Sequence, residues 1–170
     1  STIIKYPWSS VSKEGADKFG YFASEGDIIQ KLWEKTGLSE GIRHPATYLL
    51  EAADDIIYIC DDIEDGVKKG YICWKDEYTD LQNKFKEQQC YVDLFHMISS
   101  KKTDDNMDVS ERTLAQVRNF RNIVQTYLFM KAKEKFIISY DKIMNGEFGN
   151  QEILVDETKF IKTLPGKNSV

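Results

Sequence analysis

The chain has 170 residues, 41% of them hydrophobic and 30% charged, with a formal net charge of −5; that is enough length for one domain with its own core, and no overall basic footprint, so nucleic acid stays open as a partner without being indicated. Cys60, Cys73 and Cys90 form no CxxC pair, which excludes a zinc ribbon and a disulfide framework and fits a reducing cytoplasm. No apolar run nears the roughly 20 residues that span a bilayer, and no secretory apolar core opens the chain, so no membrane partner is expected.

The chain reads as all-α, with only three prolines and few segments of strand period. It opens on Ser1 rather than a methionine, as a processed start or an internal piece would. Residues 1–22 read as loop. Ser24 followed by Asp27 resembles a capping box, and Ile28, Ile29, Leu32 and Trp33 continue at helical spacing toward a stop at Gly37. Pro45 suits the first position of a second helix that runs to about Gly66 or Gly70. A third helix begins near Tyr71, and a short one covers residues 92–98. The polar run 99–108 is the clearest loop. Ser110 is the expected cap of a long helical pattern that continues through Ile143 and stops near Gly146. The tail 163–170 reads as flexible.

The second helix carries the most informative pattern. At about 100° per residue, Leu49, Ala52, Ala53, Ile56, Ile59, Cys60, Ile63 and Val67 share one face. Glu51, Asp54, Tyr58, Asp61, Asp62 and Asp65 share the other, with Asp54, Tyr58 and Asp62 stacked at i, i+4, i+8. A solvated acidic face is the simplest reading. Against it stand the mutual repulsion of the carboxylates, offset only by Lys68 and Lys69 at the end of the run, and the tyrosine in their midst. A bound cation would relieve that repulsion. An EF-hand loop starting at Asp61 fails, because Ile63 and Ile72 would fall where oxygen ligands are required.

The run 43–58, Arg-His-Pro-Ala-Thr-Tyr-Leu-Leu-Glu-Ala-Ala-Asp-Asp-Ile-Ile-Tyr, followed by Asp62-Ile-Glu-Asp65, closely resembles the dGTPase-like branch of the HD superfamily. Lys5-Tyr6-Pro7, residues 18–22 and Ser24-Glu25 match upstream, and residues 143–148 are compatible. The resemblance implies a multi-helix HD-domain-like array, of which residues 1–170 would form one piece from its central to C-terminal portion. Residues 1–70 carry the strongest match and 71–162 a helical remainder. The family hydrolyses a deoxynucleoside triphosphate, here expected to be dGTP, to the deoxynucleoside and inorganic triphosphate. It holds a divalent metal ion, Mg or Mn being expected, with two histidines and two aspartates in the order His…His-Asp…Asp.

Carried onto this chain, the resemblance makes Asp54 the last metal ligand. Tyr58 and Asp62 would line the sugar pocket, with Asp62 accepting a hydrogen bond from the 3′-hydroxyl. Lys5, Tyr6 and Lys18 would touch the triphosphate. The partners implied are a deoxynucleoside triphosphate, the missing catalytic part of the same polypeptide, and further copies in a homo-oligomer.

The departure from the family lies in the histidines. His44 precedes Pro45 and His96 precedes Met97, so no His-Asp pair exists. His44 is better read as capping or packing, and His96 as a core or groove histidine. These 170 residues would therefore supply one of four metal ligands and are expected to be inactive by themselves. Arg118 and Arg121, on one face of the long helix, could meet an anion but more simply pair with carboxylates. The rival reading is a non-catalytic helical module for oligomerisation or regulation.

Overall fold

The structure, a computed structural model, is described for residues 4–16, 18–101, 103, 106–154, 157 and 160, the side chain of Ile59 excepted. Among these residues there are six α-helices: α1 (Gly26–Thr36), α2 (Pro45–Lys68), α3 (Trp74–Phe85), α4 (Gln89–Ser100), α5 (Val109–Ile138) and α6 (Tyr140–Met144). The chain is all-α, its one recorded bridge being an isolated pairing of Ser9 with Tyr21. No helix among the described residues is long and apolar enough to cross a membrane. The expected tail, 163–170, lies outside the described residues. The chain divides into two compact units, one of residues 1–53 with 132–155, the other of residues 54–131 with 156–170. The division falls inside α2 and inside α5.

The first unit opens with irregular chain, as the sequence suggests. Its turns are held by main-chain bonds, among them Ser10 N–H to the Tyr21 carbonyl at 2.9 Å and Gly20 N–H to the Trp8 carbonyl at 3.0 Å. The expected Ser24–Asp27 capping box does not form. A 3-10 turn over Ala23–Glu25 comes first, and Glu25 reaches back to accept the Phe22 N–H at 2.8 Å. The capping carboxylate thus sits two residues earlier than expected, and α1 starts without a side-chain cap. Gly37 ends α1 as anticipated, with φ 68°, a left-handed conformation that costs glycine nothing. Farther along, Tyr48 is buried in α2, donates its hydroxyl to the Gly149 carbonyl at 2.7 Å and meets the Phe148 ring edge-on.

The second unit holds most of the apolar core. Val117, Phe120, Val124 and Leu128, spaced three and four apart on α5, are all fully buried, and each such side chain contributes about 1.5–3 kcal/mol on leaving water. Trp74 and Phe120 meet at 4.9 Å, Tyr78 and Phe95 at 5.6 Å, and Tyr91 stacks on Phe160 at 4.6 Å. Asp108, not Ser110, caps α5: its Oδ1 accepts the Glu111 N–H at 2.8 Å, and Ser110 falls inside the first turn. The long pattern breaks for one residue at Ser139, although Ser139 N–H still reaches the Lys135 carbonyl and its own carbonyl accepts from Ile143.

The buried line of α2 is narrower than its hydrophobic pattern suggests. Tyr48, Ala52, Ile56, Cys60 and Ile63 are buried, while Leu49 is 40% exposed and Ala53 is also exposed. Cys60 is fully enclosed, and burial pushes its thiol up to about 12; Cys73 and Cys90 are exposed.

Candidate functional site

In the first unit, the expected triphosphate-facing residues gather around a side chain that the sequence did not single out. Arg43 is 4% exposed. Its Nε donates to the Lys5 carbonyl at 3.2 Å, and its Nη2 donates to Glu51 Oε2 at 2.5 Å. Glu51 Oε1 accepts the Tyr6 hydroxyl at 3.2 Å. The guanidinium lies 5.8 Å from the Tyr6 ring centre and 4.6 Å from that of Tyr48, distances at which aromatic faces attract cations. The Lys18 amino group lies 5.7 Å from the Tyr6 ring centre.

The electrostatics follow from these contacts. A hydrogen bond to Tyr6 and the charge that Tyr6 can carry hold the Lys18 amine above its ordinary range, with Glu51 and Glu152 adding to the effect. Burial raises the Tyr48 phenol, and Arg43 opposes that shift. Local sequence explains the shape of the loop. A methyl group at Gly20 would overlap the Tyr6 carbonyl oxygen, so only glycine lets the 18–20 segment lie against Tyr6. His44 caps α2: its Nδ1 accepts the Ala46 N–H at 3.2 Å, and its carbonyl accepts both the N–H and the hydroxyl of Thr47.

In the second unit, α2 continues as the acidic face. Asp54 is half-buried, Tyr58 is 67% exposed and Asp62 is exposed. Among the described residues the polar ends of Tyr58 and Asp62 enter no hydrogen bond or ion pair. The neighbouring carboxylates are engaged. Glu64, buried, accepts from Arg118 Nε at 3.2 Å, from Lys68 at 2.7 Å and from Arg121. Burial works to raise the Glu64 carboxyl, but Lys68, Arg118 and Arg121 outweigh it and hold the group below its ordinary value. Arg121 also reaches Asp61 at 3.8 Å, and Lys68 and Lys69 approach Asp65.

The acidic run is therefore less self-repelling than its own helix suggests, because α5 brings Arg118 and Arg121 to it. Those pairings join residues 54 or 57 positions apart, a distance at which no periodicity signals contact. Arg43 is hidden for a related reason. Its carboxylate partner is eight residues on, its aromatic partners Tyr6 and Tyr48 lie far upstream and five residues on, and an arginine two residues before a proline reads as loop.

Among the described residues no three His, Cys, Asp or Glu side chains gather to hold a metal ion. A divalent ion needs several such ligands, and Asp54 with its described neighbours does not supply them. His96 is exposed and lines a groove of about 470 Å³ with Gln82, Lys86, Val92, Phe95 and Ser99. A second groove, of about 260 Å³, is floored by Trp74 and Tyr78.

The chain is 33% identical over 165 residues to a deoxyguanosinetriphosphate triphosphohydrolase-like protein of Listeria monocytogenes, a match covering 90% of this chain and 33% of the relative. A protein of the same description from Pseudomonas aeruginosa is 36% identical over 90 residues, 48% of this chain and 19% of the relative. The deoxyguanosinetriphosphate triphosphohydrolase of Salmonella arizonae is 27% identical over 162 residues, 86% of this chain and 29% of the relative. The chain thus spans about a third of the length of the first of these relatives. No family model matches it.

Proposed function

We propose, from its similarity to deoxyguanosinetriphosphate triphosphohydrolase-like proteins over the stretch it shares with them, that this chain is of their family and forms part of the substrate site of a metal-dependent deoxynucleoside triphosphate triphosphohydrolase. The substrate is dGTP or a related deoxynucleotide. Water adds to the α-phosphorus, the bond from that phosphorus to the 5′-oxygen breaks, and the oxygen leaves protonated as the deoxynucleoside while inorganic triphosphate departs. Tyr58 and Asp62 read the sugar, Asp62 accepting from the 3′-hydroxyl. Lys5, Tyr6 and Lys18 meet the triphosphate, whose charge calls for cations. Asp54 would be one ligand of a divalent ion such as Mg²⁺ or Mn²⁺, which would activate water and offset phosphate charge, its remaining ligands being supplied from outside these residues. The protein works in the cytoplasm as a homo-oligomer.

The observation that carries this reading is the uncommitted pair on α2. Tyr58 and Asp62 stand one turn apart on an accessible helix face with their polar ends unengaged, while the carboxylates of Asp61 and Glu64 beside them are paired. A carboxylate and a phenol so placed can accept from and donate to a sugar hydroxyl.

The test uses the full protein that carries this chain, supplied with dGTP and Mg²⁺ or Mn²⁺. Deoxyguanosine and triphosphate are the expected products, and release of pyrophosphate or orthophosphate overturns the reaction assigned. A hydrogen bond to a charged group contributes about 1.5–3 kcal/mol, so Asp62→Asn should lower kcat/KM for dGTP by roughly 10- to 100-fold. The same variant should lose the wild type's preference for dGTP over its 3′-deoxy analogue. The 170-residue chain alone is expected to release no triphosphate. If dGTP with metal also fails to raise the melting temperature of the full protein, a non-catalytic helical module replaces this reading.

A further inference from the structure

Arg43 is 4% exposed and touches the groups proposed to bind the triphosphate. Resting on that reading of Lys5, Tyr6 and Lys18, we infer that Arg43 is a positioning residue for the triphosphate: paired with Glu51 and in cation–π range of two tyrosine rings, it fixes the Lys5–Tyr6 backbone and the ring over which Lys18 lies.

The geometry uses the guanidinium at both Nε and Nη2. Two of its edges are occupied, Nε by the Lys5 carbonyl and Nη2 by Glu51, and the rings of Tyr6 and Tyr48 lie within cation–π range. Only a planar, delocalised cation fills edges and faces together; an ammonium is a point charge on a flexible stem. Glu51 closes the arrangement by dividing its oxygens, one for Arg43 and one for the Tyr6 hydroxyl. Tyr6 is therefore held at its backbone neighbour, its ring and its hydroxyl. Tyr48 is anchored in turn by the Gly149 carbonyl. From the other side, Gly20 lets the segment bearing Lys18 rest on the Tyr6 carbonyl. Lys18 thus inherits its place from Tyr6, and Tyr6 from Arg43. A long lysine on a loop reaches a defined phosphate only if such a chain of contacts sets its origin.

The experiment compares wild type, Arg43→Lys, Lys18→Ala and the double variant in the full protein, with inorganic tripolyphosphate as the probe. Small misplacements in a substrate site cost on the order of 100-fold, so Arg43→Lys should weaken inhibition by tripolyphosphate and raise KM for dGTP by roughly 10- to 100-fold. The change in kcat should be much smaller, and inhibition by deoxyguanosine should be unaltered. In the Lys18→Ala background the same substitution should cost clearly less, since both act on one group. Unchanged tripolyphosphate inhibition, equal loss of tripolyphosphate and deoxyguanosine inhibition, or full additivity would each overturn the inference. If Arg43→Lys does not fold, Glu51→Gln replaces it and must show the same selective loss. A wild type that releases no triphosphate from dGTP defeats the functional reading itself, whereas an active wild type indifferent to Arg43→Lys defeats only this inference.

Discussion

Two of the buried charges, Arg43 in the first unit and Glu64 in the second, are neutralised in opposite ways. Arg43 in the first unit is a buried cation with one carboxylate partner, Glu51, and its remaining neighbours are a carbonyl and two aromatic rings. Glu64 in the second unit is a buried anion surrounded by three cations, whose side chains are 30–54% exposed. Among the described residues the first arrangement has no spare partner; the second has two. A charge that must hold a loop in one geometry is bound by directional, single contacts. A charge that only has to be neutralised, where α2 passes α5 within the second unit, can be met by several mobile ones. Burying either charge is costly in itself, so the informative quantity is what happens when a partner goes.

The largest expected effect is therefore at Arg43. Arg43→Gln leaves the Glu51 carboxylate, 20% exposed, without its cation, and should cost about 3–5 kcal/mol in chemical denaturation, as breaking a buried pair does. A loss below 1 kcal/mol would erase the contrast. Glu64→Gln should cost less, about 1–3 kcal/mol, because its three cations can turn to water. Removing one of those cations, as in Arg118→Ala, should cost under about 1 kcal/mol. If Arg118→Ala proved as damaging as Glu64→Gln, the three partners would not be redundant.

The smallest effects are those of pH, and they have opposite signs. The Glu64 carboxyl is held below its ordinary 4.5, so its contribution is present above that value and fades as pH falls through the lowered one. The Lys18 amine is held above its ordinary 10.5, so its contribution is present below that value and fades as pH rises through the raised one. Stability measured from acid to alkali should show Glu64→Gln flattening only the acid limb and Lys18→Ala only the alkaline limb.

Much of this fold is written locally. Pro45 opens α2 and Gly37 closes α1 because each answers to its own backbone, and the α5 core follows from spacings of three and four. The misreadings arise where two local signals compete. Glu25 and Asp27 both offer a cap, and the 3-10 turn favours the earlier; Asp108 and Ser110 both precede α5, and the earlier again prevails. The break at Ser139 is hidden because Phe136, Ile137 and Ile143 keep the helical period across it. At the candidate site, the line of Asp54, Tyr58 and Asp62 was legible because one helix carries it. The knot around Arg43 was not, because it joins residues 5, 6, 18, 43, 48 and 51 through a loop, and loops have no period to read.

Cys60 gives α2 a built-in clock. It is enclosed in the middle of that helix, and its thiol, pushed up to about 12, carries almost no thiolate at neutral pH. A thiol reagent will take Cys73 and Cys90 at once and reach Cys60 only when the helix opens. The delay between the fast and slow modifications times the opening of the segment that bears Asp54, Tyr58 and Asp62, without any residue being altered to measure it.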